Sequence, residues 1–266
     1  LYSLKRVDYF GYSVGFYKNN LGFSLAFDFL LLFYLFIKEK KIKYISIMVF
    51  LLYIILLSNS RKALIFPVLF IIFYLFFSMV KRNNLNIKKA TLLLSIFAGA
   101  LILIILIPEL KERFISALQT FSKDDNVGDL SAIERRFYRY TAIDLFLKNP
   151  ILGTGIYGFA SYLVEINYSH IAYSHSNWLE LLSTLGVIGY FLYYKFYLKL
   201  FTISYKNHQT KYGLYVAIFI LLLFAFEYVF VSYYILYVQV IVLLLFKIIN
   251  IENSNYGKNF IKEENL

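Results

Sequence analysis

Seven apolar runs of membrane-spanning length punctuate the chain, at roughly residues 21–37, 44–58, 63–80, 90–107, 178–199, 212–230 and 232–249. Each holds about 15–22 residues, near the roughly 20 that a helix needs to cross the hydrocarbon. Hydrocarbon offers a backbone no hydrogen bonds, so spans of this kind are helices. The period-two alternation of a membrane β-barrel strand is absent, and no internal repeat is visible. Between the fourth and fifth runs lies one long polar stretch, about residues 108–177. Within it, Ser131 to Leu147 places apolar and aromatic residues at helical spacing, and Asn149-Pro150 supplies a stop. The pattern predicts an all-α, polytopic integral membrane helix bundle of about seven spans. It reads as a single membrane domain over 1–250, with one long external loop carrying short helices and a polar, frayed tail at 251–266.

Composition agrees with that solvent. Of the 266 residues 60% are hydrophobic and 16% charged, against about a quarter charged in soluble domains. There is no cysteine, which excludes disulfides and thiolate metal sites.

The formal net charge of +11 would suggest nucleic acid on a soluble protein. Its distribution says otherwise. Seven spans make the loops alternate between two faces. One face carries 15 Lys and Arg residues (the 38–43, 81–89 and 195–211 groups, and the tail) against four Glu. The remainder of the chain balances, with 12 basic and 12 acidic residues. The whole excess marks that face as cytoplasmic, so the charge is a topology signal and nucleic acid is not a partner. The opposite face carries residues 1–20, the turn 58–62 and the long loop; a loop of that length is usually functional.

Several groups on that outer face carry candidate chemistry. Arg61 and Lys62 place positive charge on the wrong side for the topology rule. They read equally as interfacial anchors and as ligands for an anion. Arg135, Arg136 and Arg139 cluster on the outer helix, with Arg135 and Arg139 one turn apart. They are either a solvated face paired weakly with Glu134 and Asp144 or a phosphate-binding fork. His175 directly precedes a helix start, where the helix field disfavours an imidazolium and leaves the ring able to accept a proton. Asn177 with Glu180 three residues on forms a capping-box pattern, the preferred account of Glu180. His170, in the same loop, is a weaker candidate. Asp28 and Glu227 fall within predicted spans, where a carboxylate is costly and suggests function. Gly153-Thr-Gly-Ile-Tyr-Gly158 spells a dinucleotide-binding motif, but without the strand–helix context that motif needs; its glycines read as turn formers. No His, Asp or Glu residues have metal-ligand spacing.

His175-Ser176, nine residues, Gly186, two residues and Gly189 resemble the histidine motif of the family of O-antigen ligases and O-antigen and capsular polysaccharide polymerases (Wzy-type). Three further segments are similar to that family: Asn20-Leu-Gly22, the Ser58-Asn-Ser-Arg61 turn, and Arg135 with its helix followed by Pro150-Ile-Leu-Gly-Thr-Gly155. The family usually has an aromatic residue where Arg139 stands. Its usual ten or more spans imply further spans before Leu1.

The resemblance implies a GT-C-like membrane glycosyltransferase that uses no cofactor, metal or nucleotide sugar. Its donor would be a glycan on a polyprenyl diphosphate, with His175 as general base and Arg61 and Arg135 on the diphosphate. Arg136, Arg139, Lys62, His170 and Glu180 would be the surrounding substrate-binding residues. It further implies a multi-pass protein of the bacterial cytoplasmic membrane that is active on the outer face. Its partners would be membrane lipid, the lipid-linked oligosaccharide and other polysaccharide-export membrane proteins. Polymerisation of repeat units is the leading reading, ligation to another acceptor the nearest alternative, and a flippase or transporter the more distant one. The single geometric expectation beneath these roles is that Arg61, Arg135 and His175 converge on one headgroup.

Overall fold

The computed structural model describes residues 18–58, 60–81, 130–166, 168, 172–233 and 235–263. The predicted span at 90–107 and His170 lie outside the described residues. Eight helices account for most of the described chain, and no strand is present among the described residues. They are α1 (Lys18–Glu39), α2 (Lys43–Leu57), α3 (Arg61–Lys81), α4 (Leu130–Lys148), α5 (Gly158–Glu165), α6 (Asn177–Lys206), α7 (Lys211–Phe226) and α8 (Leu236–Glu263). Stretches of α1, α3 and α6 are long and apolar enough to cross a membrane; the apolar parts of α2, α7 and α8 are shorter.

The chain divides into two compact units. The first comprises residues 1–84, 200–222 and 237–266. In it α2 and α3 pack against α1 around aromatic rings. Phe27 meets Phe66 edge-on at 5.4 Å and Phe219 at 5.7 Å. Tyr215, fully buried, packs on Phe70 at 4.8 Å and donates its hydroxyl proton to the Leu30 carbonyl at 2.6 Å. Edge-on ring pairs add roughly 0.5–1.5 kcal/mol each beyond the area they bury.

Two of the sequence segments singled out above meet inside this unit. A methyl group on Gly22 would stand 2.8 Å from Ser58 Oγ and from Ser60 Cβ. The 58–60 turn therefore presses directly on the α1 backbone. Ser58 Oγ donates to the Ile55 carbonyl at 2.7 Å and accepts from the Ser60 N–H at 3.3 Å. This folds the turn tightly and starts α3 at Arg61. Asp28 lies on an exposed face of α1.

The second unit comprises residues 85–199 and 223–236. On α4 the residues Tyr138, Ala142 and Leu145 recur at three- and four-residue spacing and pack on Phe159 and Leu163 of α5. Burying each large side chain there contributes about 1.5–3 kcal/mol.

Three expectations change. The span expected at 178–199 is a longer helix, Asn177–Lys206, broken at Gly186. The helix expected over 212–230 is shorter; α7 ends at Phe226, and Glu227 opens the turn that follows. The tail expected to fray continues α8 to Glu263, because a helix nucleated by apolar packing extends through polar residues at little cost.

Candidate active site

The second unit is organised around the break in α6. Gly186 adopts φ 64°, ψ −169°, a conformation essentially confined to glycine. The break frees backbone groups of the helix, and the Pro150–Gly155 segment takes them up. The Val187 and Ile188 N–H groups donate to the Pro150 and Ile151 carbonyls at 2.9 and 3.3 Å. The Thr154 and Gly155 N–H groups donate to the Ser183 and Thr184 carbonyls at 2.9 and 2.8 Å. The Thr154 hydroxyl adds a second bond to the Ser183 carbonyl at 2.9 Å. This turn segment thus satisfies the donors and acceptors that a broken helix would otherwise bury unpaired.

Two glycines permit this approach. A Cβ on Gly186 would lie 2.3 Å from the Ile151 oxygen, and one on Gly153 (φ 69°) would lie 2.4 Å from the Thr184 carbonyl carbon. The glycine motif read as turn formers therefore lets two backbones touch, as well as turning the chain.

His175 sits about three helical turns before that break, at the mouth of α6. Its backbone is left-handed, φ 59°, which costs a residue with a Cβ about 1–3 kcal/mol. The surrounding hydrogen bonds hold it there. Ser174, Ser176, Asn177 and Glu180 are all fully buried. Glu180 Oε2 accepts the Ser174 N–H at 2.6 Å. Ser174 Oγ donates to the Ser176 carbonyl at 2.8 Å and accepts from the Ser176 N–H at 3.4 Å. Ser176, not Asn177, caps the helix: its carbonyl accepts the Glu180 N–H at 2.9 Å and its hydroxyl faces the Leu179 N–H at 3.5 Å. The capping-box expectation therefore shifts by one residue, and Glu180 reaches beyond the cap to the far side of His175.

The imidazole lies between two tyrosines, 4.5 Å from the Tyr173 ring and 5.7 Å from the Tyr138 ring, centroid to centroid. Tyr138 also contacts Phe159 and Tyr168. Burial, with a hydrogen bond to Tyr168, pushes the Tyr138 phenol above its usual range and keeps it neutral. The Tyr173 phenol is raised chiefly by desolvation, while the Arg135 charge pulls it back and Glu180 adds to the rise. Arg135 and Glu180 are therefore both within electrostatic reach of the tyrosine whose ring lies tilted against His175, whereas the stacked ring is that of Tyr138.

The other arginines of α4 divide. Arg135 is exposed and Arg136 half-buried. Arg139 lays its guanidinium over the Tyr228 ring at 5.0 Å, and its Nε is buried without a hydrogen-bond partner. A desolvated cation on an aromatic face is held firmly, so Arg139 anchors α4 to the turn after α7. Among the described residues neither Glu134 nor Asp144 forms the ion pair expected with these arginines. Arg61 and Lys62 belong to the first unit, at the start of α3.

A polar knot fixes the start of α6, and of the two kinds of partner the sequence offered for Glu227, an arginine or tyrosine hydroxyls, it uses tyrosine hydroxyls. Glu227 is fully buried. Its carboxylate accepts from Tyr194 OH at 2.6 Å, Tyr197 OH at 3.2 Å, Asn177 Nδ2 at 3.2 Å and Ser232 Oγ. Asn177 N–H donates to the Glu227 carbonyl at 2.7 Å, and Asn177 Oδ1 accepts from the Ser232 and Tyr233 N–H groups at 3.1 and 3.0 Å. Trp178 Nε1 donates to the Phe224 carbonyl at 3.1 Å. Asn177 is thus spent on the 227–233 turn, which is why the cap falls to Ser176. A carboxylate in an apolar run suggested the type of partner, but not which residues, 33 and 50 positions away, supply it.

A family profile described as O-antigen ligase matches residues 46–194 of this chain, more than half its length. The chain belongs to the O-antigen ligase family. No curated protein and no solved structure shows significant similarity to it. The matched stretch runs from α2 into α6 and takes in Arg61, Arg135, the Pro150–Gly155 segment, His175 and Gly186; Gly22 and Glu227 lie outside it. Family membership, with the apolar helices, makes this a membrane protein of polysaccharide-related glycan ligation that acts on lipid-linked glycan.

Proposed function

We propose that this O-antigen ligase family protein is a glycosyltransferase that joins lipid-linked oligosaccharide repeat units into a surface polysaccharide. Its donor is a glycan on a polyprenyl diphosphate, and it works on the outer face of the cytoplasmic membrane. The observation that carries this reading is the second unit's cluster: a half-buried imidazole at the mouth of α6, stacked on Tyr138 at 5.7 Å and 4.5 Å from the Tyr173 ring, in the same unit as Arg135.

The chemistry follows from those groups. The acceptor sugar's hydroxyl gives its proton to the His175 imidazole as its oxygen attacks the anomeric carbon. The bond from that carbon to the diphosphate oxygen breaks, and the lipid diphosphate leaves with the electron pair. Arg135 stabilises the charge that grows on the leaving group. By the family resemblance Arg61 supplies a second cation; from their own chemistry Arg136, Arg139 and Lys62 add positive potential, and His170 and Glu180 are the remaining candidates for the substrate surroundings. Because these cations are covalently part of the chain, a chelator leaves the rate unchanged.

The test is to incubate membranes containing the protein with the lipid-linked oligosaccharide fraction extracted from the source cells. Products in a ladder of repeat lengths support polymerisation; transfer of a single glycan to another acceptor identifies a ligase. Arg135→Gln should lower the release of polyprenyl diphosphate at least about 30-fold, on the scale of about 2 kcal/mol of lost charge stabilisation. An unchanged rate would remove the arginine from the mechanism.

A further inference from the structure

Glu180 is placed oddly for a helix cap. A capping glutamate turns back to the amide of the cap residue itself. Glu180 passes that residue and accepts the N–H of Ser174 at 2.6 Å, on the other side of His175. Its carboxylate therefore closes a ring through residues 174–180 with His175 inside it. Ser174 Oγ to the Ser176 carbonyl at 2.8 Å forms a smaller ring around the same residue. The residue so enclosed is one of three described non-glycine residues with positive φ. The serines that flank it are fully buried, while His175 itself is only half-buried. If the Ser174 amide is released, the larger of the two rings opens and φ of His175 at 59° is held less firmly, with the Ser174–Ser176 pair still spanning it. The imidazole then swings about its own backbone, and a base displaced by about 1 Å loses on the order of a hundredfold in rate.

We infer that Glu180 is a positioning residue: its buried carboxylate locks the Ser174 amide, and through it holds the His175 imidazole in the orientation from which it takes the acceptor's proton. This rests on the reading of His175 as the base, and it replaces direct substrate contact as the role of Glu180. What Glu180 supplies is an acceptor at a fixed place.

That yields a test by rescue. Glu180→Gln keeps an acceptor of the same reach, whereas Glu180→Met keeps the volume and removes it. The assay is polyprenyl diphosphate release by membranes, measured against the concentration of the lipid-linked oligosaccharide extracted from the source cells. His175→Ala runs alongside, and the thermal unfolding of each variant is measured in detergent. Glu180→Met should lower kcat by about 30- to 100-fold with KM within about twofold, while Glu180→Gln stays within about fivefold of the unchanged protein. Should the methionine variant not be recovered folded, Glu180→Asp takes its place, since one methylene less withdraws the acceptor; the same loss of kcat is expected. A wild-type kcat in Glu180→Met, or equal losses in the glutamine and methionine variants, overturns the inference. So does a loss that follows only the unfolding temperature. A fully active His175→Ala would instead overturn the reading of His175 as base, and the two failures are thereby told apart.

Discussion

Gly186 carries more than its place in a spaced motif suggests. At φ 64° and ψ −169° it sits where a side chain is strained, and a methyl group there would meet the Ile151 oxygen at 2.3 Å. Gly155, at φ 95°, has open space around the same position. Two substitutions of equal size therefore separate strain from contact. Gly186→Ala should destabilise the detergent-extracted protein by about 3 kcal/mol or more, and Gly155→Ala by about 1–2 kcal/mol. Thermal unfolding of the two variants checks the order; equal losses would show that the Pro150–Gly155 segment does not depend on close approach to α6. His175 was legible as a candidate because an imidazole before a helix start has few structural duties. Its left-handed backbone was not, since that is set by Glu180 and two buried serines acting together.

At the scale of elements, the helices were readable because membrane solvent leaves the backbone one choice. Six of the seven predicted apolar runs coincide with described helices, from α1 to α3 and from α6 to α8. The outer helix α4 was readable from the 3.6-residue spacing that puts Tyr138, Ala142 and Leu145 on one face. The break in α6 was not. Periodicity continues through it, and only the neighbouring segment's hydrogen bonds make it affordable. The anchoring of α6 to the 227–233 turn was hidden for a similar reason, since the partners of Glu227 come from distant positions. That knot has a measurable weight. Glu227→Ala leaves the Tyr194, Asn177 and Ser232 donors buried without their common acceptor, at about 1–3 kcal/mol for each group left unsatisfied. Its unfolding temperature should fall further than that of Tyr197→Phe, which removes one bond at 3.2 Å. An equal fall would make the knot incidental.

For the whole molecule, the excess of basic residues on one set of loops is the sequence's expectation of sidedness, and membership of the O-antigen ligase family gives the class of chemistry. Both follow from sequence. How the second unit holds the imidazole follows from three-dimensional contacts: Tyr173 and Tyr138 against the ring and Glu180 behind its backbone. The account stands on His175 as the group that takes the acceptor's proton. The measurement that reaches it most directly is the rate of polyprenyl diphosphate release by His175→Ala in membranes supplied with the extracted lipid-linked oligosaccharide, with protein amount and unfolding temperature determined alongside. The expected result is a loss of at least about 100-fold in kcat, the scale of a general base removed, in protein that is folded and present at the usual level. Product formed at the unaltered rate by folded His175→Ala would contradict it.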